Sequence, residues 1–260
     1  MASAGTAQTK KTILGVFAHP DDESMGPGGT FAKYAAAGHR VAFITATDGG
    51  AGRLYQERPE DNTELRKLRR QETLEAARIL GIEALGFLGW ADRELENMNV
   101  LDIELEVARI IRREKPDVLI TFHGSGISRH PDHRVLAMAV NNAFMGSAHA
   151  GWYRDPVIEA LPPHLTGKLY QYTVIKSLIE GVDWRRDLYA STDDEITAVI
   201  DTEAWADLKW KAIQAHDTQR DGPPFELAYR AGVFEKEAFV RVFPWPRPGD
   251  NKENDLLAGM

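Results

Sequence analysis

Apolar positions fall into two patterns along this chain. Largely apolar runs rich in β-branched residues occupy 13–17, 41–45 and 117–122, with a shorter run at 84–88 and further ones at 169–175 and 196–200. Runs of this length, bounded by Gly, Pro or charged clusters, predict strands buried on both faces, because a strand with one wet face would alternate. Between them, apolar residues recur at helical spacing. Residues 31–37 stop at Gly38. Residues 64–80 set Leu65, Leu68, Leu74, Ala77 and Leu80 among charges and end at Gly81. Residues 101–114 are stopped by Pro116, 131–144 open with a proline suited to a first helical turn, and 202–215 take Asp201 or Thr202 as N-cap. Strand, helix, strand in succession predicts right-handed βαβ units, and so an α/β fold of three layers around a mostly parallel sheet. A single domain is expected over 13–250. Residues 1–12 read as a disordered tail, 251–260 as a frayed end, and 146–163, irregular and rich in Gly, Pro and aromatics, as a loop walling a pocket.

Composition narrows the chemistry. A net charge of −8 over 260 residues argues against a broad surface for nucleic acid or anionic lipid, which would need clustered Lys and Arg. There is no cysteine, so any metal must be held by His, Asp or Glu. The N-terminus lacks an apolar signal-like region and no run approaches a membrane span, so a cytoplasmic protein without membrane or nucleic-acid partners is expected.

Two polar clusters follow strands. Ala18-His19-Pro20-Asp21-Asp22-Glu23 leaves the first, and His130-Pro131-Asp132-His133 follows the strand at 117–122 after a short loop. In open α/β sheets ligands bind at that carboxyl edge. His19 and Asp22 are three apart on a loop, and His133 lies in the first turn of a distant helix. Two imidazoles and a carboxylate suit a catalytic metal centre, since they leave coordination positions open. Each residue also has a plainer reading, the histidines as hydrogen-bonding groups and the aspartates as helix caps. Spacing alone leaves both open. The Gly-rich stretch 47–53, at the same edge, reads as a substrate lid. Gly28-Gly29 does not complete G-x-G-x-x-G, so a nucleotide-dependent enzyme rests only on the sheet and the glycines.

The pair A-H-P-D-D-E and H-P-D-H closely resembles the LmbE-like, or PIG-L, superfamily of zinc-dependent de-N-acetylases. Further elements agree: Arg69-x-x-Glu72 with Ala76, Ala77 and Leu80-Gly81, Phe87-Leu88-Gly89-Trp90-x-Asp92, Pro116-Asp117-Val118 leading to Gly126-Ile127-Ser128, and Lys211 with His216 and Gln219 in a C-terminal signature. The resemblance implies a Rossmann-like sandwich in which His19, Asp22 and His133 bind Zn2+. It implies Asp21 as general base towards a zinc-bound water, a protonated His130 as acid or oxyanion partner, and Asp132 holding His130 in orientation. Arg53, Arg69 and Asp92 are candidates for contacts to a small amino-sugar substrate, weighed evenly against surface or structural charges. Trp90 and Tyr55 are candidates for stacking on a sugar face, with core packing favoured for Trp90. His216 is expected to be structural, and Glu23 to cap or orient its loop. Two positions depart from many relatives: Gly49-Gly50 stand where a Glu is common, and Arg129 where a Gly is common.

The implied reaction is removal of an N-acetyl group from an amino sugar or a GlcNAc-type conjugate, such as those of low-molecular-weight thiol synthesis. The phosphatidylinositol branch fits poorly without a membrane anchor. An amidase acting on thiol-sugar conjugates and a non-catalytic sugar- or metal-binding protein are the rivals. Relatives are often oligomeric, so a homo-oligomer is expected.

Overall fold

The structure, a computed structural model, describes residues 9–52, 62–180, 188–219, 225–247 and 249–260. The chain opens with β1 (Thr12–Phe17), a helical turn α1 (Asp22–Met25), α2 (Gly28–Ala36) and β2 (Arg40–Thr47). It continues through α3 (Thr63–Leu80), β3 (Glu83–Trp90), α4 (Val100–Glu114), β4 (Val118–Phe122) and α5 (Pro131–Ser147). The last part carries α6 (Pro156–Glu159), β5 (Lys168–Thr173), α7 (Lys176–Ile179), β6 (Ala198–Asp201), α8 (Ala206–Ala215), α9 (Phe225–Arg230) and β7 (Lys236–Phe243).

Among the described residues seven strands form one sheet in the order β3-β2-β1-β4-β5-β7-β6. The strands from β3 to β5 run parallel, and β7 is antiparallel to both β5 and β6. The strand order reverses between β1 and β4, which pair directly with Ile13, Leu14 and Gly15 opposite Val118, Leu119 and Ile120. This switch point leaves a crevice at the carboxyl edge, and it explains how clusters more than a hundred residues apart come to face each other. The α/β expectation is met: α4 and α5 pack together on one face of the sheet, and α2, α3 and α8 on the other. The apolar runs of β1 and β4 are buried throughout, as is the stripe Ile103, Val107, Ile110 and Ile111 of α4. Gly15 is needed where β1 meets α2, since a Cβ there would stand 2.5 Å from the Phe17 ring and 2.9 Å from that of Phe31.

The N-terminus of α2, where a dinucleotide-binding sheet would cradle phosphate, is filled from within. The backbone N–H groups of Gly29 and Thr30 donate to the Glu237 carboxylate of β7 at 2.9 and 2.7 Å. Lys209 Nζ lies 2.6 Å from Glu237 Oε1 and donates also to the Gly26 carbonyl at 2.6 Å. This buried pair removes the ground for a nucleotide reading of the glycines.

Three expectations about the chain's margins change. Thr12 belongs to β1, opposite Arg40, and its N–H is held by Asp117, so of the expected tail only 1–8 lie outside the described residues. Residues 251–260 are packed instead of frayed: Leu256 and Leu257 join the core, Glu253 accepts from Lys168, Tyr170 and Arg241, and Tyr34 donates to Asp255. Residues 146–163 line neither pocket at the carboxyl edge. Because α5 starts at the carboxyl edge, its C-terminus lies at the opposite edge, where the buried Arg112 guanidinium donates to the carbonyls of Ser147, Ile158 and His149. No helix of the described residues is long and apolar enough to cross a membrane.

Candidate active site

β1 ends at Phe17, and the chain turns at Ala18, whose carbonyl accepts both the N–H and the hydroxyl of Thr47 on β2. Asp21 then takes a positive φ of 122°, a conformation that L-residues keep only when neighbours impose it. Its N–H donates to Glu23 Oε2 at 3.2 Å, and its carboxylate accepts from the buried guanidinium of Arg69 at 2.9 Å. Arg69 also donates to the carbonyls of Pro20 and Gly49. Gly49 and Gly52 are required by its approach, since a Cβ on either would meet its Nη1 at 2.7 and 2.6 Å. Glu23 is itself fully buried, 2.9 Å from His216 Nε2. The loop is therefore braced from α3 and from the end of α8.

The second cluster opens α5. His130 is its N-cap, Nδ1 accepting the N–H of Asp132 at 3.2 Å. Neutral His130 is thereby a tautomer with its proton on Nε2. Pro131 occupies the first turn, and His133 is buried with its ring stacked on Phe122 at 4.0 Å between centroids. Arg129 has a φ of 58°, in the region that favours glycine, which accounts physically for a Gly suiting that position.

His19, Asp22 and His133 converge. His19 Nδ1 is 2.9 Å from His133 Nε2, His19 Nδ1 is 3.6 Å from Asp22 Oδ2, and His133 Nε2 is 3.4 Å from Asp22 Oδ1. The other ring nitrogens are committed elsewhere: His133 Nδ1 to the Gly126 carbonyl at 3.0 Å, and His19 Nε2 to carboxylate oxygens of Asp92 and Asp132, each at 3.1 Å. Those bonds place the protons on the outer nitrogens and leave two imidazole lone pairs facing each other beside a carboxylate. Such a group is stable only around a cation. Ligands about 2.0–2.1 Å from a tetrahedral ion stand about 3.3 Å from one another, so the donor set fits a divalent metal with a position open.

Without metal, a proton meets the same demand. Burial disfavours a charged His19, but hydrogen bonds to Asp132, Asp22 and Asp92 overcome it and raise its pKa well above the usual value. His133 is pushed down to about 4, by burial first and by the charges of His19 and His130, against the pull of Asp22. Burial would lift Asp22 and Asp92, yet the histidines hold Asp22 far below the ordinary range and His19 and Arg69 hold Asp92 at about 2. Asp21 goes the other way: burial raises it to about 6, helped by Asp22 and opposed by Arg69. Metal and proton thus compete for one position.

Two expectations need correction, and two left open between substrate contact and structural charge narrow towards the second. Asp132 does not direct its carboxylate at His130: it accepts from His19 Nε2 and from the backbone N–H groups of Arg93 and Leu95 at 2.7 and 3.1 Å, because the cap uses its N–H and turns its side chain inward. His130 is not favoured as an imidazolium, since burial and the neighbouring charge of His19 lower its pKa. Arg69 and Asp92 do border the cleft, but they are engaged in holding Asp21, the Gly49 carbonyl, His19 and the Ala51 N–H. Arg53 and Tyr55 lie outside the described residues, as does the end of the proposed lid.

Two chambers meet at the donor triad. One, of about 260 Å³, is lined by polar groups including Asp21, Arg93 and His130. The other, of about 110 Å³, is apolar and shares Asp22 and His133 with it. The sequence carries no local signal for this apolar lining, because Phe122 and Tyr172 read as ordinary strand positions.

Residues 14–144 match the family described as PIG-L: GlcNAc-PI de-N-acetylase. The chain belongs to the PIG-L family. The resemblance carried by the two histidine–aspartate clusters is thereby borne out. This PIG-L protein is similar to the 1D-myo-inositol 2-acetamido-2-deoxy-alpha-D-glucopyranoside deacetylase of Thermomonospora curvata, with 29% identity covering 98% of each chain. The protein of that name from Streptomyces griseus is 31% identical over 96% of this chain and 89% of that relative. In fold, the PIG-L protein is similar to the N,N'-diacetylchitobiose deacetylase from Pyrococcus horikoshii, with a TM-score of 0.69 over 90% of this chain and 84% of that one, at 23% identity.

Proposed function

We propose that this protein is a metal-dependent hydrolase that removes the N-acetyl group from an amino-sugar conjugate of the GlcNAc type. The observation that carries the reading is the convergence of His19 Nδ1, His133 Nε2 and the Asp22 carboxylate, next to the half-buried carboxylate of Asp21 held by Arg69. The names of the relatives support an acetylated glucosamine linked to inositol as the substrate class.

His19, Asp22 and His133 would hold the ion, Zn2+ being our assignment. Once bound, the ion supplies Lewis-acid polarisation of the amide carbonyl and makes a water easier to deprotonate. Asp21 takes a proton from the attacking water, and burial makes it a better base than an exposed carboxylate while leaving it mostly ionised at neutral pH. The neutral Nε2–H of His130 donates to the carbonyl oxygen as negative charge grows there. As the C–N bond breaks, the proton held by Asp21 passes to the departing amine, giving acetate and a free amino sugar. Asp92 and Asp132 orient His19, and Arg69 and Glu23 hold Asp21 in its strained backbone conformation.

The test is acetate release from a 2-acetamido-2-deoxyglucosyl-inositol by protein of measured metal content. Release that disappears on chelation and returns with Zn2+ supports the reading; metal-loaded protein that releases no acetate overturns it. Asp132→Asn is expected to weaken divalent-ion affinity by about 10–100-fold, measured against a chromophoric chelator, because it loosens the orientation of His19. Unchanged affinity would return Asp132 to a role at His130.

A further inference from the structure

Hydrolysis by Asp21 and His130 occupies the polar chamber and gives the apolar one no task. Phe122, Ile127, Tyr172, Val174, Leu188 and Phe225 line it, and it opens on Asp22 and His133. On the measure by which one water needs about 10–15 Å³, its 110 Å³ exceeds what the methyl of an acetyl group fills.

The placement of the reacting groups decides which end of an amide enters which chamber. Asp21 and His130 line only the polar one. The departing amine must lie within reach of the proton on Asp21, so the amine and its sugar sit on that side. Hydroxyl groups would find partners there in Arg93 and the other polar lining groups, and would lose theirs among Phe122, Tyr172 and Val174. The acyl carbon is bonded to the amine on one side and to its tail on the other. With the carbonyl at Asp22 and His133, the tail points into the apolar chamber.

Resting on the hydrolase reading, we propose that this chamber is an acyl subsite for tails longer than acetyl, so that the enzyme is an N-deacylase of medium-chain N-acyl amino sugars. The balance is that of the acetyl reaction: water's oxygen bonds to the acyl carbon, the C–N bond breaks, the amine takes the proton, and the product is a short fatty acid. Each buried methylene contributes about fourfold in kcat/KM until the chamber is full.

The experiment compares N-acetyl-, N-butanoyl- and N-hexanoyl-glucosamine with Zn2+-loaded protein, reading free amine. The expected result is a rise in kcat/KM of at least about tenfold from acetyl to hexanoyl, following that per-methylene gain. Val174→Phe, which narrows the chamber, is expected to lower the hexanoyl-to-acetyl ratio by about tenfold or more, and Val174→Leu by a smaller factor. A ratio is insensitive to a general loss of folded protein. Calorimetry of sodium hexanoate against sodium acetate supplies a second readout, with hexanoate expected to bind at least about tenfold more tightly. Cleavage of acetyl with no gain for longer tails, or equal binding of the two acids, overturns the acyl subsite alone. Failure to cleave any of the three amides, or the inositol conjugate, overturns the hydrolase reading and this one with it.

Discussion

Asp21→Asn is expected to lower kcat for acetate release by about 10²–10⁴-fold, the range spanned by a positioned general base, while metal content stays at the wild-type level. The amide keeps the size of the side chain and its contact with Arg69, but it has no basic oxygen for the proton. The wild-type rate should also carry the signature of this group. Activity requires the ionised carboxylate, so log kcat/KM is expected to rise with pH and then level off, with the bend at or below about 6, the value to which burial lifts Asp21 before a bound cation lowers it. Because the charge of Arg69 holds that pKa down, Arg69→Met is expected to move the rising limb to higher pH. An Asp21→Asn variant that keeps more than about a tenth of the activity, against the 10²-fold minimum, would exclude Asp21 as the base.

Glu237→Ala is expected to give the largest loss of stability. It leaves Lys209, whose side chain is 1% exposed, without its partner, and it strips the N-terminus of α2 of the carboxylate that receives two backbone N–H groups. Breaking a buried pair in this way costs about 3–5 kcal/mol, which corresponds to a drop in Tm on the order of 6–20 °C for a chain of this size. Adding Lys209→Met should recover part of the loss, since the uncompensated charge then disappears. A change below about 1 kcal/mol in the single variant, well under the buried-pair range, would mean that water reaches the pair.

The parts of the molecule legible in the sequence are those fixed by local pattern. β1, β2 and β4 announce themselves as unbroken apolar runs, and the glycines at 38 and 81 mark where α2 and α3 end. The two histidine–aspartate clusters could be paired because each follows such a run. What the pattern concealed was set by partners far away in the chain. β7 reads Lys-Glu-Ala-Phe-Val-Arg-Val-Phe, and its Glu237 and Arg241 disguise a strand because each charge is neutralised by groups outside it, Lys209 of α8 in one case and Glu253 and Asp250 of the C-terminal segment in the other. Asp132 stands two residues from His130, and that adjacency suggested a pair, yet its carboxylate is taken by His19, 113 residues earlier. Arg69 has the character of a substrate-binding residue and is occupied in bracing Asp21. The packed end at 251–260 is mostly polar, and only its ion pairs and two leucines reveal that it is anchored.

The capping of α2 by a residue 208 positions downstream also bears on biogenesis. A nascent chain emerging from the ribosome completes β1, α2 and β2 within its first fifty residues, but those helix amides stay bare and β5 keeps an open hydrogen-bonding edge until the final strand is translated. Premature termination between α5 and that strand would therefore release a polypeptide that carries every proposed metal ligand and still lacks the bolt that secures its opening βαβ unit.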